Sequence, residues 1–231
     1  MLKVEGLQTY YGESIILRDV DLNVPPGKVV CLMGRNGVGK TTLLKSIMGL
    51  LKPRKGKIYF QDKEITATTP DQRAKGGIGY VPQGRDIFPQ LTVEENLLLG
   101  LEALQDRNAK IPAEIYEMFP VLKEMLGKRG GDLSGGQQQQ LAIARALIGK
   151  PKILLMDEPT EGIQPSIVLE IAKVIKAIRE REDMSILLVE QYLEFVLDLA
   201  DYYYIIEKGS VVSEGAITEL NDSIVREYLT I

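Results

Sequence analysis

Histidine does not occur anywhere among the 231 residues. That absence removes every mechanism whose proton shuttle, nucleophile relay or metal ligand is an imidazole, and leaves carboxylates, lysine and glutamine to do any chemistry. Only one cysteine is present, Cys31, and it lies inside the apolar run Val29 to Met33. A disulfide framework and a cysteine-based metal centre are therefore excluded, and a reducing compartment fits. No uncharged stretch approaches the ~18 residues that a membrane-spanning helix needs. The opening Met-Leu-Lys-Val-Glu-Gly leads into no long apolar segment either, so any membrane role is expected to go through a partner. An excess of positive charge is also lacking: 28 Lys plus Arg stand against 32 Asp plus Glu, a net charge of -4. The general electrostatic case for a nucleic-acid partner falls with it.

What is there is 45% hydrophobic, enough for one substantial core. Residues 1 to 33 read as short strands with turns at Gly12 and Pro25-Pro26-Gly27, ending in an apolar strand at Val29 to Met33. A helix is expected from Lys40 to about Met48, and a strand at Ile78 to Val81. A largely helical stretch runs from about Glu94 to Ile148, interrupted at Pro112, Pro120 and Gly127 to Gly136. Ile153 to Met156 and Ile186 to Val189 are unbroken apolar runs, the pattern of strands buried on both faces, and Ile167, Ile171, Val174, Ile175 and Ile178 between them keep helical spacing. Strands alternating with helices predict an α/β sheet. Residues 86–149 look like a helical lobe inserted into a core made of 1–85 and 150–231, all within one domain.

Three segments carry chemistry. GRNGVGKTT, comprising Gly34, Arg35, Asn36, Gly37, Val38, Gly39, Lys40, Thr41 and Thr42, follows a buried strand and opens a helix, the setting a phosphate-binding P-loop requires. Its glycines let backbone N–H groups turn toward phosphates, Lys40 reaches the β and γ phosphates, and the Thr41 hydroxyl can bind Mg²⁺. ILLMDE puts Asp157 and Glu158 at the C-terminal end of a second buried strand, where open α/β sheets bind ligands. Asp157 is expected to orient Mg²⁺, and Glu158 to polarise the attacking water. DLSGGQQQQ is the third. Ser134, Gly135 and Gly136 open a helix with exposed N–H groups at its positive end, suited to an anion, while Gln137 to Gln140 have the plain alternative of a solvated helix face.

In this order and spacing, GRNGVGKTT, DLSGGQQQQ and ILLMDEP resemble the ATP-binding cassette ATPases over essentially the whole chain. The resemblance implies a P-loop NTPase (RecA-like) core sheet with an N-terminal antiparallel β subdomain and an inserted helical subdomain. It implies ATP and Mg²⁺ as ligands, membrane permease subunits and a second such ATPase as partners, and a place on the cytoplasmic face of a bacterial inner membrane. It further implies that Ser134, Gly135, Gly136 and Gln137 close on ATP bound by the opposite subunit of a head-to-tail dimer. Tyr11 matches the aromatic that stacks on adenine, and Gln83 in YVPQG the glutamine that touches Mg²⁺ and the attacking water. Gln191 in LLVEQY stands where many members carry a switch histidine, and Gln164 where many carry an aspartate. A glutamine can hydrogen-bond a γ-phosphate but cannot carry its proton, which leaves Glu158 more of the hydrolytic burden.

The Glu-Gln after the last core strand is similar to the ATPase subunits of branched-chain amino acid importers. VVCLMGRNGVGKTTLLK, GYVPQGRDIFPQLTVEENL, GGDLSGGQQQQLAIARAL and DEPTEGIQPSI resemble still more the ATPase subunit of urea importers, which take their solute from an extracellular binding protein. Urea is thus the expected cargo and an amino acid the alternative. Two other classes stand beside this reading. A cassette ATPase acting on DNA or ribosomes would carry a long coiled-coil insertion or a second fused cassette. A small-molecule P-loop kinase would have a lid and an acceptor pocket in place of LSGGQ.

Overall fold

A computed structural model of the protein describes residues 1–104, 106 and 108–229. The sequence-derived limits 86–149 and 150–231 include Gln105, Arg107, Thr230 and Ile231, which lie outside the described residues. The strands are β1 (Leu2–Tyr11), β2 (Ser14–Val24), β3 (Val29–Met33), β4 (Lys55–Phe60), β5 (Lys63–Glu64), β6 (Ile78–Val81), β7 (Ile153–Asp157), β8 (Ser185–Val189), β9 (Tyr202–Glu207) and β10 (Ser210–Ala216). The helices are α1 (Lys40–Met48), α2 (Pro70–Lys75), α3 (Val93–Leu99), α4 (Ala113–Met118), α5 (Pro120–Glu124), α6 (Gly135–Ile148), α7 (Pro165–Arg181), α8 (Leu193–Leu199) and α9 (Asp222–Tyr228).

Two sheets form. The first is antiparallel, in the order β2-β1-β4-β5. Its leading strands are longer than the turns in the sequence suggest. Gly6, at φ 54°, falls where the β1 register shifts, and the shift resets the inward alternation so that Leu2, Val4, Leu7 and Thr9 are all buried. The second sheet has the order β10-β9-β3-β8-β7-β6, parallel except for the β9–β10 hairpin.

The unbroken apolar runs follow from burial on both faces. Cys31, Met33, Leu154, Met156, Ile186 and Leu188 pack on one side with α6, α7 and α8. Val30, Leu32, Ile153, Leu155, Leu187 and Val189 pack on the other with α1 and the antiparallel sheet. Each such side chain contributes about 1.5–3 kcal/mol when fully buried. The helical stretch is joined to the first face: Val93, Leu97, Ile115, Phe119, Leu122 and Leu141 belong to the same buried cluster as Cys31 and Met33. That shared core fixes where α6 begins relative to the sheet.

Candidate functional site

β3, β8, β7 and β6 are consecutive parallel neighbours, so the segments leaving their C-terminal ends meet along one edge. From β3 comes the loop Gly34 to Gly39. Gly34 has φ 145° and Gly39, which precedes α1, has φ 113°. A Cβ at Gly34 would come within 2.4 Å of the Ile206 carbonyl oxygen, and one at Gly39 within 2.8 Å of the Leu17 side chain, so only glycine fits either position. Among the described residues no backbone N–H from Gly37 to Thr42 donates a hydrogen bond; the first helical bond is Leu43 N–H to Gly39 O, 2.9 Å. A row of unpaired donors at the positive end of a helix is a place for an anion. Lys40, 5% exposed, folds back over the loop and donates to Gly34 O at 2.8 Å and Arg35 O at 3.0 Å.

β7 brings the carboxylates. Asp157 is 1% exposed, and neither of its oxygens has a hydrogen-bond partner. Burial pushes its carboxyl up to about 6, with Glu158 adding to the rise. Thr41, Lys40 and Lys45 pull the other way, with Thr41 near enough to act on Asp157 without closing a well-formed hydrogen bond. Orphaned carboxylate oxygens in a buried site call for a cation, and an aspartate with a threonine hydroxyl supplies the hard oxygen donors that Mg²⁺ prefers. Glu158 follows in a left-handed conformation, φ 49°, held by its N–H to Val189 O at 2.9 Å. Such a conformation costs on the order of 1–3 kcal/mol and is found where a side chain must be aimed.

The two glutamines converge on Glu158. Gln191, after β8, donates through Nε2 to Glu158 Oε1 at 2.6 Å and to Asn36 Oδ1 at 2.7 Å. Gln83, after β6, donates to Glu158 Oε2 at 3.2 Å and to Glu161 Oε2 at 2.9 Å. Lys40 Nζ lies 3.3 Å from Glu158 Oε1. Lys40, Asn36, Gln83, Glu158 and Gln191 therefore form one polar cluster beside the Gly34 to Gly39 loop. Sequence reasoning gave Glu190 no role, although it is 3% exposed and bonds Thr160, Gln191 and Tyr192. No local sequence signal marks it, because its partner Thr160 lies thirty residues earlier in the chain.

Other expected residues lie apart from this cluster. Tyr11 is 47% exposed beside the Gly12 turn, on the hairpin whose Ile16 and Leu17 pack against Gly39. Gln164 is exposed and precedes Pro165 at the start of α7. The bonds of Ser134 and Gln137 close on each other: Gln137 N–H donates to Ser134 Oγ at 3.3 Å, and Ser134 N–H to Gln137 Oε1 at 2.9 Å. This reciprocal cap starts α6. A Cβ at Gly135 would meet the Arg85 guanidinium at 2.9 Å, and one at Gly136 would meet Ile167 at 2.9 Å. The solvated-face alternative for the four glutamines does not hold. Gln139 and Gln140 are buried, Gln140 donates to Glu170 at 2.5 Å, and Gln138 donates to the Gly130 and Leu133 carbonyls.

Residues 17–161 match the ABC transporter family. The chain is 39% identical to the high-affinity branched-chain amino acid transport ATP-binding protein BraG of Pseudomonas aeruginosa, covering 99% of each. It is 34% identical to the lipopolysaccharide export system ATP-binding protein LptB of Acidithiobacillus ferridurans, over 98% of this chain and 95% of that one. Among solved structures it resembles a dimeric ATP-binding cassette in a post-hydrolysis state bound to ADP and Pi, with TM-score 0.83 and 30% identity, over 94% of this chain and 99% of that one. A phosphate loop, a strand-end acid pair and this likeness over nearly the full length agree, and the chain belongs to the ABC transporter family as an ATP-binding, ATP-hydrolysing subunit.

Proposed function

We propose that this subunit drives an importer: two such ATPases close head to tail on ATP beneath membrane permease subunits, at the cytoplasmic face of the membrane. The observation that carries the site is the convergence of Lys40, Gln83, Glu158 and Gln191 beside the unpaired N–H row of the phosphate loop. In this reading the loop from Gly34 to Thr42 cradles the phosphates of ATP, and Lys40 leaves Glu158 for the β and γ phosphates. Thr41 and Asp157, with Gln83 at the edge, would hold Mg²⁺. The ion supplies neutralising charge on the phosphates. Glu158 accepts a proton from the attacking water, oriented by Gln83 and Gln191. Tyr11 stacks on adenine, and Ser134, Gly135, Gly136 and Gln137, at the start of α6, meet the partner's ATP. No described helix is long and apolar enough to cross a membrane.

The cargo is chosen elsewhere, by the permease and an extracellular binding protein. Likeness to a branched-chain amino acid transport protein favours an amino acid over the urea that segment resemblance suggested. Reconstitution with the membrane permease subunits that bind it, assayed for ATP-dependent uptake of leucine and of urea, tests this. Leucine uptake is expected; urea uptake alone would reverse the order, and transport of neither would remove both. Loss of ATP hydrolysis in Glu158→Gln tests the site.

A further inference from the structure

Glu190 has no place in the roles just given, yet its hydrogen bonding is the most complete of any acid near the site. One carboxylate oxygen accepts from Thr160 N–H at 3.1 Å and Thr160 Oγ1 at 2.5 Å. The other accepts from Gln191 N–H at 2.8 Å and Tyr192 N–H at 3.2 Å. The Glu190 N–H points to Leu32 O, 3.3 Å away on β3, the strand that feeds the phosphate loop. We propose that Glu190 is a positioning residue: its buried carboxylate clamps the segment after β7 to the segment after β8, and so fixes the Gln191 amide on Glu158 and Asn36. This rests on the assignment of Glu158 and Gln191 to the hydrolytic site.

The chemistry of the donor set requires a carboxylate. Three of the four donors are backbone N–H groups, which cannot turn away, and an ionised carboxylate has acceptor sites for all four. An amide of the same shape has one oxygen and an NH₂ that meets donors. The Thr160 hydroxyl can rotate to accept from that NH₂, but at least one backbone N–H is then left facing a hydrogen, in a place water scarcely reaches. Thr160 is two positions beyond Glu158, and Gln191 is the next residue after Glu190, so slack in the clamp moves both ends of the 2.6 Å Gln191–Glu158 bond. Thr160 also begins the segment that runs through Gln164 into α7.

Glu190→Gln, Thr160→Val and Thr160→Ser in the full chain test the clamp, with turnover, ATP affinity and melting temperature measured together. Glu190→Gln is expected to lower kcat by about 10–100-fold, the scale of a misplacement near 1 Å, with ATP affinity unchanged. Thr160→Val, which loses the hydroxyl donor, should lose part of that, and the double variant should be no slower than Glu190→Gln alone, since both act on one link. Thr160→Ser keeps both donors and should keep turnover. Independent losses that multiply, or turnover of Glu190→Gln within about twofold of the parent, would overturn the clamp. If Glu190→Gln does not fold, equal turnover in Thr160→Val and Thr160→Ser overturns it. Lys40→Ala and Glu158→Gln in the same assays separate the two levels. Should those two bind and hydrolyse ATP normally, the site assignment itself fails and takes the clamp's catalytic role with it.

Discussion

Replacing Glu158 with glutamine keeps the side chain's length and one of its oxygens but removes its charge and its ability to take a proton. In the structure that carboxylate accepts from Gln191 at 2.6 Å and Gln83 at 3.2 Å, and pairs with Lys40 at 3.3 Å in a setting where the two side chains are 10% and 5% exposed. Among the described residues no other acid hydrogen-bonds both Gln83 and Gln191 through their side chains, and histidine is absent from the chain. Loss of a general base lowers turnover by about 10²–10⁴-fold, roughly 3–5 kcal/mol of barrier. Binding should move the opposite way. Lys40 is freed from a carboxylate that competes with phosphate for it, while its bonds to the Gly34 and Arg35 carbonyls remain. Releasing a pair worth about 1 kcal/mol tightens ATP by roughly fivefold. Phosphate release under saturating ATP measures the first effect and titration calorimetry the second. Turnover within about tenfold of the parent, or ATP bound ten times more weakly, would refute the reasoning.

Lys40→Ala should weaken ATP binding by about 10–100-fold, the loss of a charge-assisted contact of ~1.5–3 kcal/mol, and unchanged affinity by calorimetry would count against the phosphate-loop role. The Asp157 carboxyl stands at about 6 when folded, above its ordinary value near ~3.9 in an unfolded chain. Burial of its ionised form therefore costs the fold nothing below about pH 4, and the cost grows until the pH passes about 6. Asp157→Asn should be more stable than the parent by about 2–3 kcal/mol at pH 8 and show no advantage at pH 4; a pH-independent difference in metal-free denaturant melts would contradict this. Gly135→Asp places a carboxylate beside the Arg85 guanidinium, whose flexible end can move aside. Monomer affinity for ATP should be unchanged while ATP-dependent dimerisation in the ultracentrifuge is lost; loss of monomer binding would assign the segment to its own site.

What the sequence determined by itself was whatever depends on neighbours along the chain. The helix from Lys40 to Met48, the strand from Val29 to Met33 and the glycine loop between them were legible because backbone conformation there is set within a dozen residues. The unbroken apolar runs named β7 and β8, since a strand buried on both faces has no polar side to show. The hairpins β4–β5 and β9–β10 were not anticipated, although Tyr202 to Ile206 is itself an apolar run leading into a Lys208-Gly209 turn. Gln137 to Gln140 read as a possible polar tract, but composition cannot say that Gln137 caps its own helix while Gln139 and Gln140 are buried. The site itself belonged to tertiary structure. Gln83 and Glu158 are 75 positions apart and Gln191 a further 33, and they meet only because β6, β7 and β8 lie side by side. Glu190 is the sharpest case: an acid after a strand carries no local mark, and its importance comes from Thr160, thirty residues earlier, which the order of strands in the sheet brings to its carboxylate.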